Sequence, residues 1–412
     1  MYLQRRCRNH TCRRVVPPRP RSCPHCGSRD VAWLLRYQAP DGTERSRSFD
    51  RRLDAERFGA SVEMSKLRGE WTNPAHARTP YADWIERWWT TRLDLRPSSR
   101  ARDESYMRSY ILDVFGPIHL GRIEQVDVRA WVADLSARGL APATVQKAYQ
   151  VFAKSMAAAV AADMIPRSPC RGIALPRIER QEMRFLTPDE IGRLADSIHP
   201  RYRALVLVGA YGGLRLGEIA GLRRHRVDLL RGRVDVAEIA VEVRGRLFFG
   251  PPKTKAGRRS VGLPRTVVRG LESHLATWAA DDLVFTAPEG GPLRTPTFRR
   301  RFWQPAVISS DLPHRFNRGA EAGTCKCGLP VDSVTHDRPL RPHDLRHTAV
   351  ALWIAADANP KEVAVRAGHM SVSFTLDRYG HLFPNHDDRL RARLDEMILA
   401  ASWPRAEVVS LR

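Results

Sequence analysis

The stretch LRPHDLRHTAVALWIAAD, residues 340–357, carries apolar residues at the 3.6-residue period of a helix and two polar residues that do not belong to that period. Leu345, Ala349 and Leu352 fall on a face suited to a core. His343 and Arg346 are three apart and share the other face. An imidazole and a guanidinium side by side do not attract one another when both are charged. Their placement makes sense if both address an anion such as a phosphodiester. The helix must then be packed into a domain on one side and open to a ligand on the other.

Downstream lies RAGHMSVSFTLDRYGHLFP, residues 366–384, with Tyr379 ten positions after the pair Gly368-His369. Its setting is polar and turn-rich rather than core-like. A phenol is a poor nucleophile until its proton leaves, since its ordinary pKa is about 10, so it needs a base and a positive environment. Upstream, AYGGLRLGEIAGLRRHRVDL (210–229) breaks one helix at Gly212-Gly213 and starts the next at Arg215, with Glu218 placed to orient it. Alone, this is read as a salt-bridged surface arginine. In FFGPPKTKAGRRSVGLP (248–264) two β-runs flank KTKAGRR, which predicts a hairpin with Lys253 and Lys255 at its tip. Alone, this is a solvated basic turn.

Composition sets the frame. The chain has 412 residues, which suggests about three domains. Its 68 Lys+Arg outweigh 45 Asp+Glu for a net charge of +23, and arginine dominates, which implies a polyanionic partner. The pI is near 10.6. No apolar run is long enough for a membrane span or a signal peptide, so a soluble, cytoplasmic, nucleoid-associated protein without a membrane partner is expected. The odd count of seven cysteines argues for metal ligation over a disulfide framework.

Four of those cysteines, Cys7, Cys12, Cys23 and Cys26, form a C-x4-C and C-x2-C arrangement, with CPHCGS supplying a knuckle turn. They predict a structural Zn2+ site, in which His10 or His25 could replace one sulfur; reduced surface thiols are the plain alternative. DVAWLLRYQAPDGTERSRSF then predicts a β-hairpin around Asp41-Gly42, followed by a helix in RLDAERFGASVEMSKLRGEW. This small unit suits a DNA groove or a plain α+β module. Residues 72–80 read as a linker. From Tyr81 to about Ile173 four amphipathic stretches predict a bundle of four or five helices, with Ser98 or Ser99 as N-cap of one and Pro142 in the first turn of another. A second linker, 174–185, ends in LTPDEIGRL, with Thr187 predicted as N-cap.

The order Arg215, hairpin lysine, His343-x-x-Arg346, His369, Tyr379 resembles the tyrosine recombinase family, the integrases of phages and conjugative elements, over about residues 80–395. The N-terminal segment resembles the arm-binding module of integrases that recognise two kinds of DNA site. The resemblance implies a mainly α fold with small β elements. Its parts would be a zinc-binding segment (1–28), an arm-type DNA-binding module of hairpin plus helix (29–72), a helical, SAM-like core-binding domain (80–173) and a mixed α/β catalytic domain (185–400).

It further implies that Arg215 and Arg346 clamp the scissile phosphate, Tyr379 attacks it to form a 3′-phosphotyrosyl link, and His343 assists the proton transfer. Lys253 would protonate the 5′-hydroxyl, with Lys255 an alternative that also reaches, and His369 would hydrogen-bond the phosphate. Neither ATP nor a catalytic metal is implied. The expected partners are double-stranded DNA attachment sites, further copies of the chain in a homotetramer on DNA, and a directionality factor. The C-terminal helix HDDRLRARLDEMILAA, with Leu390, Leu394 and Ile398 on one face, would dock on a neighbouring protomer or pack on its own domain.

One departure stands out. HRFNRGAEAGTCKCGLPVDSVTHDR, residues 314–338, is a long insertion in which Cys325 and Cys327 could join His314 or His336 around a second zinc. Two other readings compete with the family. A non-catalytic zinc-containing DNA-binding protein does not explain the order of the motifs. A type IB topoisomerase is disfavoured by the integrase-like N-terminus and by the lack of a long coiled linker before Tyr379.

Overall fold

The computed structural model describes the chain apart from residues 20, 40–42, 68–72, 74, 180–182, 279–281, 315–324, 326, 328–338, 385–386 and 401–412. It divides into two units, Met1–Arg180 and Gln181–Arg412.

In the first unit β1 (Tyr2–Cys7), β2 (Val31–Gln38) and β3 (Glu44–Phe49) form an antiparallel sheet in that order. The predicted hairpin is the β2–β3 pair, with Trp33 opposite Phe49 and Gln38 opposite Glu44; its Asp41-Gly42 turn lies outside the described residues. Strand β1, which the sequence reading omitted, carries Cys7 at its end. Helix α1 (Arg52–Leu67) covers the sheet through Phe58 and Val62, which meet Leu35, Tyr37 and Phe49.

A helical bundle follows: α2 (Tyr81–Thr91), α3 (Pro97–Tyr106) running through a π turn at Met107–Ile111 into α4 (Leu112–Phe115), α5 (Gln125–Ala137) and α6 (Pro142–Ala161). Helix α6 buries Val145, Ala148, Phe152, Met156 and Ala159 at helical spacing. Phe115 stacks on Phe152 at 4.4 Å. The buried Tyr81 hydroxyl is satisfied by Ser155 Oγ at 2.7 Å. Pro142 opens α6 as expected. Ser98 and Ser99 do not cap α3: Pro97 takes its first turn, and extended Arg96 is the cap residue.

The second unit begins with α7 (Pro188–Ser197), which Thr187 caps by accepting from the Glu190 amide at 3.2 Å. Then come α8 (Arg203–Gly212), α9 (Leu216–Ala220) and the strands β4 (Val227–Asp228), β5 (Arg233–Val236), β6 (Ile239–Val243), β7 (Arg246–Gly250) and β8 (Arg259–Gly262). The remaining helices are α10 (Arg265–Trp278), α11 (Thr295–Phe298), a π turn at Arg299–Trp303, α12 (Gln304–Ser309), α13 (Asp344–Ala355), α14 (Pro360–Ala367), α15 (Val372–Tyr379) and α16 (Asp387–Ala400).

The expected lysine hairpin is not what forms. Strand β7 pairs with β6 around Arg244 and Gly245, both at positive φ as a tight turn of the I′ type requires, whereas β8 pairs with β5 in a separate sheet. Residues 251–258, with both lysines exposed, are therefore a crossing between two sheets. A two-residue turn that matches strand twist at 244–245 outcompetes a longer loop for β7. The core of this unit gathers α7, α8, α10, the strands and the buried face of α13: Leu345 and Ala349 are fully buried, with Leu352 packed at the margin. Gly209 lets α13 approach α8, since a Cβ there would fall 2.8 Å from a Leu345 methyl. Among the described residues no helix is long and apolar enough to cross a membrane.

Candidate active site

Helix α8 ends where Gly213 takes φ +66° in the left-handed region. A Cβ there would strike the Trp353 ring of α13 at 2.5 Å, so only glycine permits this approach. The chain then turns out of the core and presents Arg215 as the first residue before α9. Glu218 pins it: one carboxylate oxygen accepts from the Arg215 amide at 2.9 Å and the other from its Nη1 at 2.7 Å. The same carboxylate accepts two bonds from Arg259 of β8, at 2.9 and 3.1 Å. Glu218 and Arg259 are both buried, while the Arg215 side chain is 40% exposed. Burial alone would raise the Glu218 pKa, yet the bonds and charge of Arg259, then Arg215, hold it below the ordinary carboxylate range.

Arg346, in the first turn of α13, is 3% exposed and points back toward this turn. Its Nη1 donates to the Gly213 carbonyl at 2.7 Å and its Nη2 to the Ala367 carbonyl. Both partners are neutral. Burial, then the nearby charge of Arg215, pushes the guanidinium down to about 9, still protonated at neutral pH. His343 sits at the N-terminal end of α13, exposed at its edge, and partial desolvation with the charges of Arg346 and Arg215 lowers its pKa.

Helix α14 ends at Gly368, φ +64°, whose missing Cβ would lie 2.7 Å from the Ala256 carbonyl. This close approach places the 251–258 crossing next to the residue that precedes His369. Nδ1 of His369 lies 2.9 Å from Thr375 Oγ1, and its ring is parallel to that of Tyr379 with centroids 6.2 Å apart. Desolvation, and then Arg346 and Arg215, pushes His369 down to about 3.

Ser371 caps α15 through the Phe374 amide, and Tyr379 closes that helix with 2% exposure. The turn-rich surroundings of the sequence thus conceal a buried ring. Its hydroxyl lies 2.6 Å from Nδ1 of His347, a residue that the sequence reading passed over. His347 is buried, its ring edge-on to His343 at 4.9 Å, and desolvation pushes it down to about 4, so it is neutral at pH 7. Burial raises the Tyr379 pKa, against the pull of Arg346, Arg378 and Arg215. The signal for His347 was present: it follows Arg346 directly and lies four residues after His343, on the same helix face.

Arg215, His343, Arg346, His369 and Tyr379, spread over 165 residues of sequence, therefore converge, with His347 added. The lysines lie on a segment whose Ala256 carbonyl approaches Gly368, the residue before His369. In the first unit, Cys7, Cys12, Cys23 and Cys26 bring their sulfurs within 4.8 Å of one another, with Cys7–Cys26 and Cys12–Cys23 each at 3.6 Å. His10 and His25 turn instead to Arg13 and Arg14.

A model of the phage integrase family matches residues 184–386, and one of the phage integrase N-terminal SAM-like domain matches 81–136. The integrase of Mycobacterium phage D29 is 28% identical over 363 residues, covering 85% of this chain and 89% of that one. In structure, the chain is similar to the Tn1549 transposon integrase in complex with transposon right-end DNA, with TM-score 0.60 and 19% identity over 78% of this chain and all of that one. It is also similar to a lambda integrase tetramer bound to a Holliday junction, with TM-score 0.54 and 15% identity over 86% of this chain and 93% of that one. The fold and the matched sequence define a tyrosine recombinase. Within that class the chain belongs to the phage integrase family.

Proposed function

We propose that this chain is a site-specific DNA integrase of a mobile element, cutting and rejoining strands through a covalent 3′-phosphotyrosyl intermediate. The observation that carries the reading is the make-up of the cluster: among the described residues the buried Arg346 donates to the Gly213 and Ala367 carbonyls, Arg215 lies beside it, and the Tyr379 hydroxyl meets His347, which burial keeps neutral. Two neighbouring guanidiniums call for an anion, and a phosphodiester is one that both can address.

In the reaction, Arg215 and Arg346 hold the non-bridging oxygens and stabilise the charge that builds on them; one such preorganised donor contributes about 3–4 kcal/mol. The Tyr379 oxygen attacks phosphorus, the bond to the 5′-oxygen breaks, and the phosphotyrosyl ester forms. The phenol proton passes to a neighbouring imidazole. His343 is the family's candidate, but the 2.6 Å contact favours His347 Nδ1 as the first acceptor. His369 hydrogen-bonds the phosphate. Lys253, or Lys255, supplies the proton that the leaving 5′-oxygen takes up. A 5′-hydroxyl from a second duplex reverses the sequence, so the bond energy is conserved in the ester and no cofactor takes part.

The four-part division at 1–28, 29–72, 80–173 and 185–400 is our functional reading of the two units: DNA is gripped by the arm module and the helical domain, and cut by the last. A Zn2+ ion held by Cys7, Cys12, Cys23 and Cys26 would fasten the first segment. The sulfur spacing supports it, because the edge of a tetrahedron with Zn–S bonds of about 2.3 Å is about 3.8 Å. Helix α16 exposes Leu390, Leu394, Met397, Ile398 and Leu399, which suits docking on a neighbouring protomer in a tetramer. A protein of this kind works at the nucleoid in the cytoplasm, with a directionality factor choosing between integration and excision.

The test is a nicked duplex carrying a candidate attachment site, which traps the covalent complex. Wild type gives a protein–DNA adduct stable in denaturant, and Tyr379→Phe gives none. An undiminished adduct in that variant removes Tyr379 as the nucleophile.

A further inference from the structure

The insertion before α13 leaves and rejoins the fold at one place. The Leu340 amide donates to the Pro313 carbonyl at 2.7 Å, and the Trp303 indole donates to the Leu340 carbonyl at 3.0 Å. His314 begins the insertion at this base, and Cys325 and Cys327 return to it. A ring nitrogen of His314 and the two sulfurs lie within 4.8 Å of one another, and His314 and Cys325 are both buried. We propose that His314, Cys325 and Cys327 form a second zinc site, in the catalytic unit, that staples the base of this insertion beside the segment leading to His343.

Three independent features support the assignment. The first is the tautomer. His314 Nδ1 lies 2.8 Å from the Leu312 carbonyl, which only accepts, so Nδ1 bears the proton and Nε2 presents its lone pair. A carbonyl holding the far nitrogen of a ligating imidazole is the usual outer support of a zinc histidine. The second is spacing. Nε2 is 3.5 Å from Cys325 Sγ, and the edge between N and S donors of a tetrahedral zinc is about 3.6 Å for bonds of about 2.05 and 2.3 Å. The third is chemistry. Two thiolates and one imidazole are a donor set that selects zinc over the hard cations. Three protein donors and one further ligand complete the ion.

The site has a mechanical role in this position. Arg341 and Asp344 join across the start of α13, with the Arg341 amide donating to Asp344 at 2.7 Å, and His343 lies between them. An ion shared by His314, Cys325 and Cys327 would hold these three residues together at the base that leads to this turn. The ion takes no part in the chemistry at phosphorus.

Metal content of the full-length protein tests the proposal and separates it from the N-terminal site. Two zinc ions per chain are expected in wild type, one in Cys325→Ser/Cys327→Ser and one in Cys23→Ser/Cys26→Ser. One zinc in wild type that disappears in Cys325→Ser/Cys327→Ser supports this site and rejects the N-terminal one. Zinc content unaffected by Cys325→Ser/Cys327→Ser overturns the proposal. Because the double variant can fail to fold, wild type is also labelled with a thiol reagent before and after chelation and read by peptide mass spectrometry. Labelling of Cys325 and Cys327 that rises several-fold on chelation supports the site, and unchanged labelling refutes it.

Discussion

Replacing Glu218 by Gln isolates the link between the packing of this site and its chemistry. The carboxylate accepts four hydrogen bonds, two from Arg215 and two from Arg259, at 2.7–3.1 Å. Gln keeps one acceptor oxygen, but its amide nitrogen then confronts N–H donors, and the countercharge is gone. The two arginines do not weigh equally. Arg215 is 40% exposed, so its ion pair contributes about 0–1 kcal/mol, whereas Arg259 is 4% exposed and left as a buried unpaired charge, which costs about 3–5 kcal/mol. In a domain of this size about 2–4 °C of Tm accompanies each kcal/mol, so a fall of roughly 10 °C is expected. Arg215 also loses its anchor, and one misplaced donor slows such a step by about 10²–10³.

Thermal melts of the full-length protein followed by near-ultraviolet circular dichroism give the first quantity. Single-turnover adduct formation on the nicked duplex, well below the melting range, gives the second. A Tm within about 2 °C of wild type would refute the reasoning, since it would mean that the Arg259 charge is accommodated without Glu218. The pH dependence has a fixed sign. Glu218 has a depressed pKa in the folded chain, so its contribution is complete above the ordinary carboxylate value and is lost as pH falls through the folded one.

His347 gives a second pH signature. Its imidazole stays neutral in the folded chain down to about pH 4 while the unfolded chain takes up a proton near its ordinary value of 6.5, so stability is complete above that value and falls as pH drops. By pH 5 this one group costs roughly 2 kcal/mol, and denaturant titrations at pH 7 and 5 should show a loss smaller by that amount in His347→Asn. The leaving-group proton is tested by Lys253→Ala, which should slow cleavage by about 10²–10⁴ on an ordinary strand and recover on one with sulfur at the 5′-bridging position, since a thiolate leaves unprotonated. Recovery in Lys255→Ala, with none in Lys253→Ala, would transfer the role to Lys255.

Local rules made much of this legible in the sequence. Thr187 before Pro-Asp-Glu, the glycine pair that ends α8, and the apolar period of α13 each state a structure within a few residues. What stayed hidden depended on pairing between distant segments. Nothing near Lys253 says that β7 turns back at Arg244-Gly245 and that β8 is taken by β5. Ser98 and Ser99 were sound cap residues one or two positions inside a helix that Pro97 had already begun. Tyr379 reads as exposed because its sequence neighbours are polar, and it is buried because α14, α15 and α13 close around it.

The burial also explains why the cluster is assembled from residues that are weak signals one at a time. Arg215, Arg259 and Arg346 bring three guanidiniums into one region, and Glu218 offers them one carboxylate. Arg346 spends its bonds on the carbonyls of Gly213 and Ala367, which fix its direction and carry no formal countercharge. The imidazoles of His347 and His369 stay neutral chiefly because burial strips the charged form of water, and nearby positive charge adds to that for both. The three guanidiniums and the one carboxylate alone sum to an excess of two positive charges before substrate arrives. Each charge is worth about 4 kcal/mol to an opposite one at 4 Å in a medium of effective dielectric constant 20. In the proposed reaction a phosphodiester brings one negative charge, and its transition state would concentrate a second on the oxygens that Arg215 and Arg346 address. The match is thus better in the transition state than in the ground state, which is the condition for accelerating the step.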